Sequence, residues 1–243
     1  MGESGQKIKL AYREGGIVHL LRKAVAAIPR RLKSLSLDFY LSIRPPGYFF
    51  FRGEKLSYLR HAYNQAFENE RTVEVPIIWD IVKKSGAARI LEIGNVLQNY
   101  HPEARHDVLD KYEKGKGVIN EDVAQFRPNK NYDLIVSIST MEHVGWDEEP
   151  RTPEKVISAF RNLKENCLAE KGKIAFTVPL GYNQALDELL RSGQLFFPMM
   201  FFMKRISADN KWEEVPAEEI RDVAYDHPFP SANAILIGID EKG

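Results

Sequence analysis

Apolar residues recur along this chain at two different rhythms. Between residues 15 and 35, Ile17, Val18, Leu20, Leu21, Ala24, Val25 and Ile28 fall at helical spacing, and Pro29 breaks or kinks the helix they predict. Pro45-Pro46-Gly47 is a turn. It leads into Tyr48-Phe49-Phe50-Phe51, an aromatic run that reads as a strand or a hydrophobic plug. Residues 54–69 are rich in helix formers, with Tyr58, Leu59, Tyr63 and Phe67 on one side. Residues 71–84 continue as an apolar helix, with Pro76 expected in its first turn.

From residue 86 the rhythm shortens. Arg89–Gly94, His106–Asp110, Gly117–Asn120, Tyr132–Thr140 and Lys173–Pro179 are short, largely apolar runs, each read as a strand. Residues 153–169 form an amphipathic helix through Val156, Ile157, Phe160, Leu163 and Leu168, which Lys171-Gly172 ends. Residues 182–206 read as a lid or insertion: a helix near 184–192, then the run Leu195–Met203, which is either a core strand or an adaptable apolar wall. Residues 232–239 close the chain as a last strand. Continuous apolar strands separated by helices and loops predict an α/β class with a doubly wound, mostly parallel sheet. Ligands bind such sheets at the carboxyl ends of the strands, near the reversal of strand order. Two parts are expected: a basic helical extension over 1–70 and the α/β domain over 71–243.

Charge sharpens that division. The 243 residues carry 34 Lys+Arg and 34 Asp+Glu. Residues 1–60 hold 12 of the basic and 4 of the acidic residues, a net of +8 that the rest of the chain cancels. The balance argues against a surface tuned throughout to nucleic acid. The basic amphipathic helix in 15–35, with Arg22, Lys23, Arg30, Arg31 and Lys33, suits either its own domain surface or peripheral contact with an anionic membrane. No apolar run reaches the length of a transmembrane helix, and the start lacks the pattern of a signal peptide, so a cytoplasmic location is expected, with membrane association through the basic helix as its variant. The single cysteine, Cys167, reads as a buried thiol, and His101 and His106 lack the partners of a zinc site.

Five short segments carry a resemblance. Leu91-Glu92-Ile93-Gly94 resembles the first motif of class I S-adenosylmethionine-dependent methyltransferases, hydrophobic-acid-x-Gly-x-Gly. Asp110 ends the second strand 18 residues after Glu92, and Asn120–Phe126 is similar to the segment after the third strand. Tyr132–Val136 with Met141–Val144 resembles the fourth-strand motif, and Leu168–Ile174 the approach to the fifth. The resemblance spans about residues 72–181. It implies a Rossmann-like methyltransferase fold and S-adenosylmethionine as cofactor, with Glu92, Gly94, Asn95, Asp110, Asp122 and Ser139 at its site. Asp110 would accept the ribose hydroxyls and Asp122 the adenine amine. The chain departs from the motif at Val96, where a second glycine is usual.

The bland readings stand beside these. Glu92 would satisfy backbone N–H groups of the turn, and Asp107 and Asp110 would cap the segment after them. For a hydroxyl acceptor, His143 just past the fourth strand suits a general base, with Glu142 to orient it and Asp147 or Glu148 as substitutes. Tyr182 and Asn183 follow the fifth strand and offer polar contacts to an acceptor such as a small molecule or saccharide. The rival is a non-catalytic binding protein on the same fold, acting through the basic N-terminal part. A nicotinamide enzyme ranks last, since Gly94 stands alone in its loop.

Overall fold

The computed structural model describes residues 47–243; the expectations for the 15–35 helix lie outside the described residues. Eight strands form one sheet in the order β5-β4-β3-β6-β7-β10-β8-β9. They are β3 (Ile90–Ile93), β4 (Asp107–Leu109), β5 (Val118–Ile119), β6 (Tyr132–Ile138), β7 (Leu168–Pro179), β8 (Met199–Arg205), β9 (Trp212–Val215) and β10 (Ala234–Glu241). From β5 to β7 every neighbouring pair is parallel. Counted from β3, these five stand in the order 3-2-1-4-5 of a doubly wound nucleotide-binding sheet. The order reverses at β3, flanked by β4 and β6. β10 runs against both β7 and β8, and β9 against β8.

Helices cover both faces because the strands are apolar on both. Leu134, Val136 and Ile138 of β6 pack with Val75 and Ile78 of α1 (Arg71–Ser85). Ile135 between them packs with Val156, Ala159 and Phe160 of α2 (Lys155–Asn162). Leu186 and Leu189 of α3 (Gln184–Arg191) extend that second layer. Among the described residues no helix is long and apolar enough to cross a membrane.

Three sequence expectations change. Residues 54–69 do not form a helix: β1 (Tyr48–Phe51) and β2 (Glu54–Ser57) make a hairpin, and Tyr63–Gln65 is only a 3-10 turn. The hairpin buries Phe49 and Phe51 beside Trp212, Met203 and Ile237, and this burial outweighs a weak helix propensity. The Tyr58 hydroxyl accepts from the Trp212 amide (2.9 Å) and donates to the Trp212 carbonyl (3.3 Å).

Pro76 lies inside α1, beyond its first turn. A proline there leaves the carbonyl four residues back without its helical donor. That carbonyl belongs to Thr72, and the Leu59 amide fills the vacancy at 2.9 Å.

The helix read over 153–169 ends early. α2 stops at Asn162, a wider turn spans Leu163–Cys167, and β7 begins at Leu168, paired with Tyr132. Asn162 is buried with its amide donating to the carbonyls of Val123 and Phe126, which fixes the exit of the helix. Cys167 is buried as expected, and burial pushes its thiol up to about 11. Of the two readings of Leu195–Met203, its second half joins the sheet as β8.

Candidate functional site

A shallow cleft opens at the carboxyl ends of β3, β4 and β6. Its walls include Gly94, Asp110, Lys111, Asp122, Thr140, His143 and Glu148. It therefore sits at the reversal of strand order, where this sheet class binds its ligands.

The loop after β3 is shaped by Gly94 and Glu92. Gly94 has φ +84°, and a Cβ there would lie 2.3 Å from Thr140 Oγ1. A side chain is excluded by the neighbouring wall as well as by the backbone conformation. Glu92 is fully buried beneath the loop. Its Oε1 accepts the amides of Val96 (2.9 Å) and Leu97 (2.7 Å), and its Oε2 meets His106 Nε2 at 2.8 Å. Both oxygens are thus spent on the loop and on His106, and Glu92 does not line the cleft. Val96 has φ −103° and ψ −49°, which needs no glycine. Its side chain packs with the α1-side core, so the loop takes a path that turns Val96 away from the cleft.

Asp110 directly follows β4 at the cleft wall. Oδ1 accepts the amides of Tyr112 (2.8 Å) and Glu113 (2.7 Å), a local cap. Among the described residues Oδ2 takes no hydrogen bond. Asp110 thus combines the capping reading with one oxygen left for a ligand. Asp122 is more heavily engaged. Its Oδ1 accepts from the Ala124 amide (3.0 Å), while Lys111 (3.0 Å) and Lys155 (2.5 Å) meet Oδ2. The same ammonium groups meet Glu148 Oε2 at 3.0 and 2.6 Å. Burial raises the carboxyls of Asp122 and Glu148, but the lysine hydrogen bonds outweigh it and both end below their ordinary range.

His143 also lines the cleft. Asp147 Oδ2 lies 2.5 Å from Nδ1 and also accepts the Tyr182 hydroxyl at 2.6 Å. The ring meets Tyr182 edge-on at 5.0 Å, and Tyr182 meets Tyr225 at 5.3 Å. This leaves Nε2 as the nitrogen available for proton transfer, 3.5 Å from Glu142 Oε1. Asp147, not Glu142, is the carboxylate hydrogen-bonded to the imidazole.

Other candidates are occupied elsewhere. Glu142 is buried and burial raises its carboxyl well above the ordinary range, with Glu74 adding to the rise. Among the described residues its Oε2 has no partner. Asn183 is buried at the start of α3, accepting from the Leu186 amide (2.9 Å) and donating to the Glu142 carbonyl (2.7 Å). Ser139 donates to Glu74 at 2.6 Å, away from the cleft. Asn95 donates to Glu113 at 2.5 Å. His101 stacks on Trp79 at 4.2 Å. Lys111, Lys155 and Thr140 were not singled out from the sequence. Only the adjacency of Lys111 to Asp110 offered a signal.

No protein-family model matches the chain, and no curated protein matches it. Solved structures similar to it include N-methyltransferase NodS from Bradyrhizobium japonicum WM9 in complex with S-adenosyl-L-homocysteine, at 13% identity, covering 71% of this chain and 91% of that one, TM-score 0.43. A SAM-dependent methyltransferase from Archaeoglobus fulgidus matches at 15% identity, covering 74% and 98%, TM-score 0.47. A TehB-like SAM-dependent methyltransferase from Corynebacterium glutamicum ATCC 13032 matches at 18% identity, covering 68% and 86%, TM-score 0.40. The assignment of a doubly wound α/β sheet rests on the strand order and pairing of the chain itself.

Proposed function

We propose that the chain is an S-adenosylmethionine-dependent methyltransferase acting on a hydroxyl of a small molecule or saccharide. The observation that carries this reading is that Asp110 and His143 line one cleft at the strand-order reversal. The residues fit the cofactor at that cleft. Asp110 Oδ2 suits a ribose diol, since a carboxylate accepts two charge-assisted hydrogen bonds. Gly94 keeps the β3 loop close against Thr140, which leaves the wall free of a side chain at that point. Turned into the core, Val96 does not crowd the methionine end.

When bound, the cofactor supplies a methyl group on a sulfonium, transferred by in-line displacement. His143 Nε2 takes the proton of the acceptor hydroxyl, while Asp147 accepts a hydrogen bond from Nδ1–H and so holds the ring. Tyr182, half-buried against the His143 ring, is the residue proposed to pack on an acceptor. Asn183 serves the site indirectly, by holding the backbone that carries Glu142 and His143. The basic residues 15–35 provide docking for an anionic surface, in keeping with the +8 of residues 1–60.

Calorimetric titration with S-adenosylmethionine tests the core of the reading. Binding below millimolar is expected, and an absence of heat at near-millimolar ligand ends it. Asp110→Asn, which keeps an oxygen for the loop amides, is expected to weaken binding by about 1–3 kcal/mol.

A further inference from the structure

Two lysines share two carboxylates at one end of the cleft, and they are not equivalent. Lys155 rises from α2, is 18% exposed and does not line the cleft. Lys111 follows β4, is 37% exposed and does line it. Lys155 bridges the two carboxylates at 2.5 Å from Asp122 and 2.6 Å from Glu148, and balances one of their two charges. Lys111 adds longer contacts of 3.0 Å to the same two oxygens from the ligand side. It is the more exposed of the two cations, and its ammonium also lies 5.2 Å from the exposed Tyr112 ring. Asp122 Oδ1 is turned to the Ala124 amide, and Oδ2 is covered by both lysines, of which Lys111 is the one on the cleft wall.

The wall thus has two chemical faces. With Lys111 in place it presents a donor, which suits a heterocycle bearing a carbonyl. With Lys111 swung to solvent it presents the Asp122 oxygen, an acceptor, which suits a heterocycle bearing an exocyclic amine. We propose that Lys111 is a specificity-determining residue: it caps Asp122, must be displaced for an adenine-type amine to bind, and narrows the preference of the site for amine over carbonyl bases. The inference rests on the proposed cofactor reading.

The test is calorimetry on the full chain with S-adenosyl-L-homocysteine and with its inosine analogue, in which a carbonyl replaces the amine. Lys111→Met is expected to bind S-adenosyl-L-homocysteine about two- to fivefold more tightly, the range for release of one partly exposed ion pair. Its affinity for the inosine analogue should stay equal or fall. Lys111→Arg keeps the cation and should show no gain. Unchanged or weaker binding of S-adenosyl-L-homocysteine by Lys111→Met, an equal gain for both ligands, or a gain in Lys111→Arg overturns the inference while leaving the cofactor reading intact. If neither wild type nor variants bind either ligand, the cofactor reading falls and the inference with it.

Discussion

Nδ1 of His143 sits 2.5 Å from Oδ2 of Asp147, the same oxygen that takes the Tyr182 hydroxyl at 2.6 Å. Burial alone would raise the Asp147 carboxyl, but the Tyr182 and His143 hydrogen bonds outweigh it and bring the carboxyl below its ordinary range. An ionised Asp147 fixes the proton on Nδ1 and leaves Nε2 as an acceptor. Asp147→Asn should therefore shift the tautomer of His143, read by nitrogen NMR of the ring, and reduce methyl transfer by about 10²–10⁴-fold as expected for a misoriented base. Unchanged ring signals would separate Asp147 from the imidazole.

Gly94→Ala should be costly. The substitution meets a positive φ, and its Cβ would fall 2.3 Å from Thr140 Oγ1. A loss of about 2–4 kcal/mol is expected, a sum of backbone strain and steric displacement. Urea denaturation measures it. Thr140→Gly in the same chain should recover part of the loss, because the nearest atoms are those of the Thr140 side chain.

Glu92→Ala strips acceptors from two buried amides and leaves His106 unpaired. About 3–5 kcal/mol of destabilisation is expected, as for breaking a buried charged network. Glu92→Gln keeps an oxygen for the Val96 and Leu97 amides and should cost clearly less. Equal losses in the two variants would show that the carboxylate charge, not the two amide bonds, is what the loop needs.

The acidic cluster near α1 sets a pH dependence. Burial, then the Glu74 charge, raises Glu70, and burial raises Glu142 well above its ordinary range. Both bind a proton more tightly folded than unfolded, so stability falls as pH rises above the ordinary glutamate value. Glu142→Gln mimics the protonated form. Its melting temperature should fall less than that of wild type between about pH 5 and pH 8. Parallel melting curves for the two proteins over that range contradict this.

The parallel half of the sheet was legible because strands buried on both faces are unbroken apolar runs, as in Leu134–Ile138. The span 54–69 was not, because Tyr58 and Leu59 take their partners from Trp212 and Thr72, which local spacing does not show. At the site, strand ends singled out Gly94, Asp110 and His143, and the three line one cleft. Strand ends do not say which way a side chain faces, so Ser139 turned toward Glu74, and Asn183 went to the start of α3. Lys155 reaches Asp122 from 33 residues along the chain, beyond any short motif.

The Tyr58 hydroxyl on Trp212 has a consequence for the sheet as a whole. β9 is an edge strand, and an edge with free amides and carbonyls invites a strand from another molecule. One phenol takes both backbone groups of Trp212, and the Arg52 amide binds the Glu214 carboxylate beside it. At the other edge β5 is two residues long. Among the described residues neither edge offers a long free template, which limits strand-to-strand pairing with another molecule.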